Sequence, residues 1–298
     1  MMIRKIERTI KKYALLENGD RVIAALSGGA DSCALLLSLA GLAQTYGLTI
    51  VATHFNHGLR GAHSDADEAF CHSLAKRFGL VFETEKIKSS VVPRGVSQED
   101  YYRQERYRFL DQVAVNHAAN KIALGHHLQD QAETVLLNLM RGSGLDGLKG
   151  ILPMRENKYI RPLLEVSRRE IIHFLQKENI EYREDGSNAC NIYLRNRIRN
   201  ELIPLIKDKY NPGIEQNLAR MAEIIRRDDD LINGYVGEIM ASPFVQKTQD
   251  QISFSVKYFK TLHAALGFRL VKSLLESLAP SGGGFSSVHI ESLVCLAI

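Results

Sequence analysis

Val22-Ile-Ala-Ala-Leu-Ser-Gly-Gly-Ala-Asp-Ser32 reads as a short buried strand that runs into two glycines, an acid and a hydroxyl, followed by the apolar helix beginning Cys33-Ala-Leu-Leu-Leu-Ser-Leu39. Gly28 and Gly29 can adopt positive φ and leave room for a ligand against the backbone. Ala30 is small, and Ser27 and Ser32 set hydroxyls beside the free N–H groups of the helix that follows, which together make an anion nest. Asp31 does not suit a pure anion site, because a carboxylate repels phosphates unless a divalent cation lies between them. The loop therefore predicts a nucleotide phosphate with Mg2+ at Asp31. An ordinary strand-to-helix turn with Ser or Asp as N-cap would use the same residues. No Gly-Lys-Ser/Thr follows and no third glycine is correctly spaced, so neither the Walker nor the dinucleotide pattern applies.

Outward from this loop, strand and helix patterns alternate. Residues 1 to 20 predict an opening amphipathic helix closed by Asn18-Gly19, and Leu48 to His54 a second strand. Asp65 to Phe78 reads as helix, Leu80 to Ile87 as strand, Glu99 to Ala118 as helix, Lys121 to Gly125 as strand and Asp130 to Met140 as helix. Such alternation predicts an α/β fold, a parallel sheet covered on both faces, with ligands at the carboxyl ends of its strands. From Ser167 the patterns are almost all helical: Ser167 to Lys177, Ile192 to Lys209, Gly213 to Met240 and Thr261 to Leu278. The turn Asn211-Pro-Gly213 is the best boundary, giving a larger α/β domain over residues 1–210 and a smaller, mainly α-helical domain over 211–298. The last residues stop inside an apolar-periodic helix without a capping glycine, the pattern expected of a shortened chain.

Composition narrows the class further. The 298 residues are 45% hydrophobic and 24% charged, as in a globular protein with a sizeable core, and the net charge of +4 permits a polyanionic partner without requiring one. No apolar run reaches membrane-spanning length and the start lacks a signal-peptide core, so a cytoplasmic protein with no membrane contact is expected. Cys33, Cys71, Cys190 and Cys295 lie far apart with no C-x-x-C pair, which indicates neither a zinc knuckle nor a redox pair.

Further motifs fall where strands give way to loops. In His54-Phe-Asn-His-Gly-Leu-Arg-Gly61, Arg60 suits a phosphate or a solvated loop equally; His54 and His57 lack a third ligand for a metal. Gly125-His-His-Leu-Gln-Asp-Gln-Ala-Glu-Thr134 places Asp130 and Glu133 three apart, hence on one helical face, where they can hold Mg2+ or an ammonium group or simply favour a helix N-terminus. Arg141-Gly-Ser-Gly144 reads as a flexible loop with one cation, either closing on substrate or connecting. Arg103, Arg106 and Tyr107 share a predicted helix, as surface ion pairs or as a basic face toward a nucleotide. Asp185-Gly-Ser-Asn188 precedes Arg195-Asn-Arg-Ile-Arg199, whose Arg195 and Arg199 share a face suited to phosphate-backbone contact or to solvent.

The loop at Ser27 to Ser32 resembles the SGGxDS loop of the PP-loop ATP pyrophosphatases, enzymes with an adenine nucleotide alpha hydrolase-like sheet that cleave ATP between the α and β phosphates. The whole ordered set, with Arg161-Pro-Leu-Leu164 added, resembles one family among them, the tRNA(Ile)-lysidine synthetases, over roughly residues 20 to 205. The resemblance implies that ATP adenylates the wobble cytidine of isoleucine tRNA carrying a CAU anticodon, and that free lysine then displaces AMP. It implies that Ser27, Gly28, Gly29, Ala30, Asp31, Ser32, His54, Arg60 and Gly125 bind the nucleotide, with Mg2+ on Asp31. Arg103 and Arg106 would assist at ATP or the adenylate. Asp130 and Glu133 would hold lysine, with His127, Arg141, Arg195, Asn196 and Arg199 also on the substrate side. Gln129 stands where the family usually has the first of two aspartates, which implies altered metal or lysine handling. Tyr101-Tyr102 replaces small residues, which implies crowding on the nucleotide side. A homodimer is the expected assembly.

Three other readings compete. A thiolating PP-loop enzyme calls for paired cysteines, an amidotransferase-linked synthetase calls for a glutaminase partner, and an inert tRNA-binding protein would tolerate loss of Asp31.

Overall fold

The computed structural model of the chain describes residues 2–58, 61–87, 92–93, 95–183, 194–248, 251–278, 285 and 287–297. Two compact units divide it, Met1–Met221 and Ala222–Ile298. The first alternates α1 (Met2–Lys12), β1 (Arg21–Ala25), α2 (Ala30–Tyr46), β2 (Thr49–Asn56), α3 (Ala62–Arg77), β3 (Val81–Lys86), α4 (Gln98–Asn116), β4 (Lys121–Ala123) and α5 (Leu128–Met140). It continues through α6 (Leu145–Leu148), β5 (Met154–Arg155), β6 (Tyr159–Ile160), α7 (Arg168–Lys177), α8 (Leu194–Arg197), a π-helical turn (Ile198–Leu202), α9 (Ile203–Lys209) and the start of α10 (Ile214–Met240).

The sheet is six-stranded in the order β3-β2-β1-β4-β6-β5. Its strands pair in parallel except β5, which runs antiparallel to β6. Because a strand alternates its side chains between faces, Val22 and Ala24 join the core formed with α1, α2 and α7, while Ile23 joins the opposite core with Phe109, Leu110 and Val113 of α4. Burial on both faces explains why β1 reads as a continuous apolar run instead of an alternating one. After β1 the chain crosses first to β2 and later to β4 on the other side, so the switch point at which such sheets bind ligands lies between the ends of β1 and β4.

The opening helix is shorter than its periodicity predicts. It ends at Lys12, Ala14 adopts a positive φ of 47°, and Leu15 and Leu16 turn into the core. Strands β5 and β6, two residues each, are too short to leave a periodic signal and were not expected. In the second unit, α10 leads to a hairpin of β7 (Val245–Lys247) and β8 (Ile252–Phe254), then α11 (Val256–Phe259), α12 (Ala264–Leu278) and α13 (Ser287–Ala297). The hairpin interrupts a region that reads as helical. The core of this unit gathers Val236, Ile239, Phe259, Leu270, Leu274 and Ile290. Beside it, Arg269 Nη2 forms an ion pair with the fully buried Asp229 at 2.5 Å. No helix among the described residues is long and apolar enough to cross a membrane.

Candidate active site

The phosphate loop is shaped by its own hydroxyls. Ser32 Oγ accepts from Ser27 N–H at 3.1 Å, lies 3.1 Å from Ser27 Oγ and donates to Gly29 O at 2.9 Å. Gly28 takes φ +87°, a value that explains glycine there. Gly29 caps α2 without a side-chain hydrogen bond, so neither Ser27 nor Asp31 is spent as the N-cap and the first N–H groups of α2 remain for a ligand. Gly125, just beyond β4, presses on this loop: a Cβ there would stand 3.2 Å from the Asp31 carbonyl carbon and 3.3 Å from Ser32 N. His54 closes the third side. Its Nδ1 is 2.9 Å from the Leu26 carbonyl, which can only accept, so the ring carries its proton on Nδ1.

A cavity of about 560 Å3 opens over these strand ends, lined among others by Ser27, Asp31, His54, His57, Arg106 and His126. Arg106 Nε, His57 Nδ1 and His126 Nδ1 are buried in it with no hydrogen-bond partner among the described residues. Burial, reinforced by Arg103, pulls the Arg106 guanidinium below its ordinary value against the opposing pull of Tyr107. Burial, with the charges of Arg106 and His54, lowers His57 to about 4; burial also lowers His126. Both rings are therefore neutral at pH 7, and Arg106 is left as a desolvated cation in the cavity wall, a setting that strengthens its attraction for an anion. Tyr102, one of the unexpected bulky residues, is buried with its ring 5.6 Å from His57, edge to face.

A second constellation starts α5. His127 Nδ1 accepts from Gln129 N–H at 3.2 Å, which leaves the ring proton on Nε2, 3.6 Å from Asp31 Oδ2 and 3.7 Å from Asp130 Oδ2. Asp130 Oδ2 in turn accepts from His127 N–H at 3.0 Å, completing a capping box. Burial acts to raise Asp130, but His127, His126, the His127 N–H and Arg195 outweigh it and hold the carboxyl below its usual range. Glu133, only 1% exposed, accepts from Arg199 Nε at 2.6 Å, Arg199 Nη2 at 2.9 Å and Arg195 Nε at 3.0 Å. Arg199 Nη2 also reaches Asp130 Oδ1 at 3.2 Å. A second cavity of about 370 Å3 adjoins, lined by Asp31, His127, Gln129, Glu133, Arg168, Arg199, Asn200, Ile203 and Glu215. Asp31 belongs to both cavities.

Asp31 itself is divided between two environments. Its Oδ2 accepts from Arg168 Nη1, and its Oδ1 is buried with no hydrogen-bond partner among the described residues. That orphaned oxygen fits a divalent cation. Mg2+ commonly takes one or two carboxylates plus substrate phosphates, which agrees with the absence, among the described residues, of any group of three His, Cys, Asp or Glu placed for a metal.

The structure gathers Ser27 to Ser32, His54, Arg106, Gly125, His127, Asp130, Glu133, Arg195 and Arg199 around the two cavities. Asn196 lies in α8 between the two clamping arginines. Arg103 is exposed and stacks over the Tyr107 ring at 5.1 Å, outside both cavity walls. Arg141 caps the far end of α5, roughly 17 Å along the helix from Asp130. Arg60 and Asp185 to Asn188 lie outside the described residues. Sequence reasoning missed Arg168 and Glu215. A signal existed for Arg168: the Ser167-Arg-Arg-Glu170 capping box places a cation in a first helical turn, against the helix dipole, where something else must hold it. Glu215 gave none, since an acid in a first turn needs no further explanation.

A strand-to-helix phosphate nest at the switch point of a parallel sheet is the arrangement of a nucleotide-binding α/β protein. A family model described as the PP-loop domain matches residues 2–206, and the chain belongs to that family. Among curated relatives, the tRNA(Ile)-lysidine synthase of Clostridioides difficile is 35% identical over 301 residues, covering 99% of this chain and 64% of the relative. That of Geobacter sulfurreducens is 36% identical over 295 residues, covering 98% and 62%. The chain thus spans about 64% of the length of the first of these relatives. A U34-tRNA thiolase structure from Methanococcus maripaludis shares the fold, with a TM-score of 0.61 and 21% identity over 76% of this chain and 80% of that one.

Proposed function

We propose that the chain is an ATP-dependent ligase that joins lysine to the wobble cytidine of CAU-anticodon isoleucine tRNA, with the first unit, to Met221, catalytic and the second contacting tRNA. The observation that carries this reading is the pair of cavities meeting at Asp31, one built for phosphates and one lined with carboxylates. The 35% identity to tRNA(Ile)-lysidine synthase over 99% of this chain supports it.

In the first step the ring carbonyl oxygen at position two of cytidine attacks the α-phosphorus of ATP, and pyrophosphate leaves with the electron pair of the broken P–O bond. The N–H groups of the Gly28–Ser32 loop receive the phosphates, and Arg106 presents the desolvated cation in the same cavity. Asp31 Oδ1 would hold Mg2+, which when bound supplies charge neutralisation on the leaving phosphates. In the second step a neutral lysine ε-amine attacks carbon two of the activated ring and AMP departs, taking the former carbonyl oxygen. His127 Nε2 lies between Asp31 and Asp130, 3.6 and 3.7 Å from their Oδ2 atoms, at the junction the amine must cross. Asp130 and Glu133, implied as lysine holders, already carry Arg195 and Arg199, so an ammonium at those positions must share or displace an arginine contact.

The two thiols beside the phosphate loop do not serve the sulfur-transfer alternative. Cys33 donates to Gly28 O at 3.3 Å and burial pushes it up to about 12; Cys71 donates to Leu26 O at 3.7 Å and is raised by burial as well. Neither supplies a thiolate at pH 7. The test is pyrophosphate release: the first turnover should need ATP, Mg2+ and tRNA, sustained turnover should need lysine as well, and both should vanish in Asp31→Asn. Release that proceeds equally without tRNA would refute the reading.

A further inference from the structure

The second cavity is lined by three carboxylates, and two of them are committed elsewhere. Glu133 accepts from Arg195 and Arg199 at both oxygens and is closed from solvent. Asp31 is tied to Arg168 at one oxygen and offers the other at the junction with the phosphate cavity. Glu215, 7% exposed in the first turn of α10, differs from both. Its Oε2 accepts from Gln129 Nε2 at 2.8 Å and from Lys207 Nζ at 3.2 Å, and its Oε1 accepts no hydrogen bond among the described residues.

The partners of Glu215 indicate what it is built to bind. Gln129 uses both ends of its amide, accepting from Arg168 N–H at 2.9 Å and donating to Glu215, so it fixes the carboxylate without neutralising it. An acid at position 129 would set two carboxylates against each other at that distance. The single cation on Glu215 is a primary ammonium on a side chain 43% exposed, a contact that solvent screens and that an incoming ammonium can replace. Arginine, by contrast, locks Glu133 through a planar fork.

Resting on the reading of this cavity as the amino-acid site, we propose that Glu215 recognises the α-ammonium of the lysine substrate, with Gln129 as its positioning residue and Lys207 as the group displaced. Glu215 lines the second cavity and not the first, so the ammonium it holds is the one that does not react; the ε-amine faces Asp31 and the nucleotide.

The test compares lysine with 6-aminohexanoate, which lacks only the α-amino group, in wild-type protein, Glu215→Gln and Lys207→Ala. Lysine-dependent AMP release gives KM for lysine, and competition against lysine gives the constant for 6-aminohexanoate. A lost charge-assisted contact predicts that Glu215→Gln raises KM for lysine about tenfold. KM for ATP should stay unchanged, and the wild-type preference for lysine over 6-aminohexanoate should disappear. Lys207→Ala should lower KM for lysine, a direction that loss of a structural contact does not produce. The proposal is overturned if Glu215→Gln keeps the preference for lysine, or weakens lysine and 6-aminohexanoate equally. Absence of lysine-dependent AMP from wild-type protein would instead overturn the underlying reading, and this proposal with it.

Discussion

Asp31 presents two oxygens to two different settings, one on Arg168 and one orphaned. Replacing it with Asn keeps the shape and one acceptor but removes the charge a cation needs, so Asp31→Asn should reduce turnover at least about a hundredfold while leaving the fold intact. Thermal unfolding beside AMP release checks both, and full activity in the variant would refute the role. Gly125→Ala tests the close approach of the strand end to the phosphate loop. The added Cβ meets backbone atoms of Asp31 and Ser32 at 3.2 and 3.3 Å, so something must shift, at a cost of about 1–3 kcal/mol. Its expected signature is a raised KM for ATP with KM for lysine little changed. His57 sets a pH dependence. Its folded value of about 4 lies below its ordinary 6.5, so the unfolded chain binds the proton first as pH falls. The contribution to stability is therefore complete above about 6.5 and lost as pH drops toward 4. His57→Gln should flatten that acid limb in urea titrations at pH 7 and pH 5, and an unchanged slope would contradict the assignment.

At the scale of elements, the junction of α5 with α8 and the following π-helical turn is held by two acids, Asp130 and Glu133, and two arginines. Removing one member of a buried ionic cluster costs more than the pair itself contributes, because the partners stay behind uncompensated. Arg195 and Arg199 are 38% and 36% exposed, so water softens that penalty, and Glu133→Gln should cost about 2 kcal/mol. A double-mutant cycle with Arg199→Gln should show coupling, and strict additivity would deny the contact. Much of this geometry was legible in the sequence. Asp130 with Glu133, and Arg195 with Arg199, were spaced to share helical faces, and the two faces meet each other. What spacing alone did not disclose was the meeting, since pairing between segments more than sixty residues apart depends on the sheet that carries them. β1 was readable because burial on both faces makes it a continuous apolar run, whereas β6 owes its strand character to β4 next door and β5 owes its own to β6. Glu215 was invisible for a similar reason: its partner Gln129 lies on another element.

Across the whole molecule, the two units each carry their own core, and α10 contributes residues to both. The ion pair of Asp229 with Arg269 belongs to the second unit alone, at 0% and 13% exposure. Asp229→Ala should destabilise that unit by about 3 kcal/mol, because it removes the buried acid paired with Arg269. ATP-dependent protection of amides in the first unit should be unaffected, and hydrogen exchange resolved by segment distinguishes local from general loss. The central claim concerns what the assembled chain does with lysine. Labelled lysine should enter a transcript of isoleucine tRNA carrying CAU, with ATP and Mg2+ required. It should not enter methionine tRNA carrying the same anticodon, and Asp31→Asn should transfer none. Splitting of ATP to AMP and pyrophosphate with no lysine on either tRNA would contradict the account.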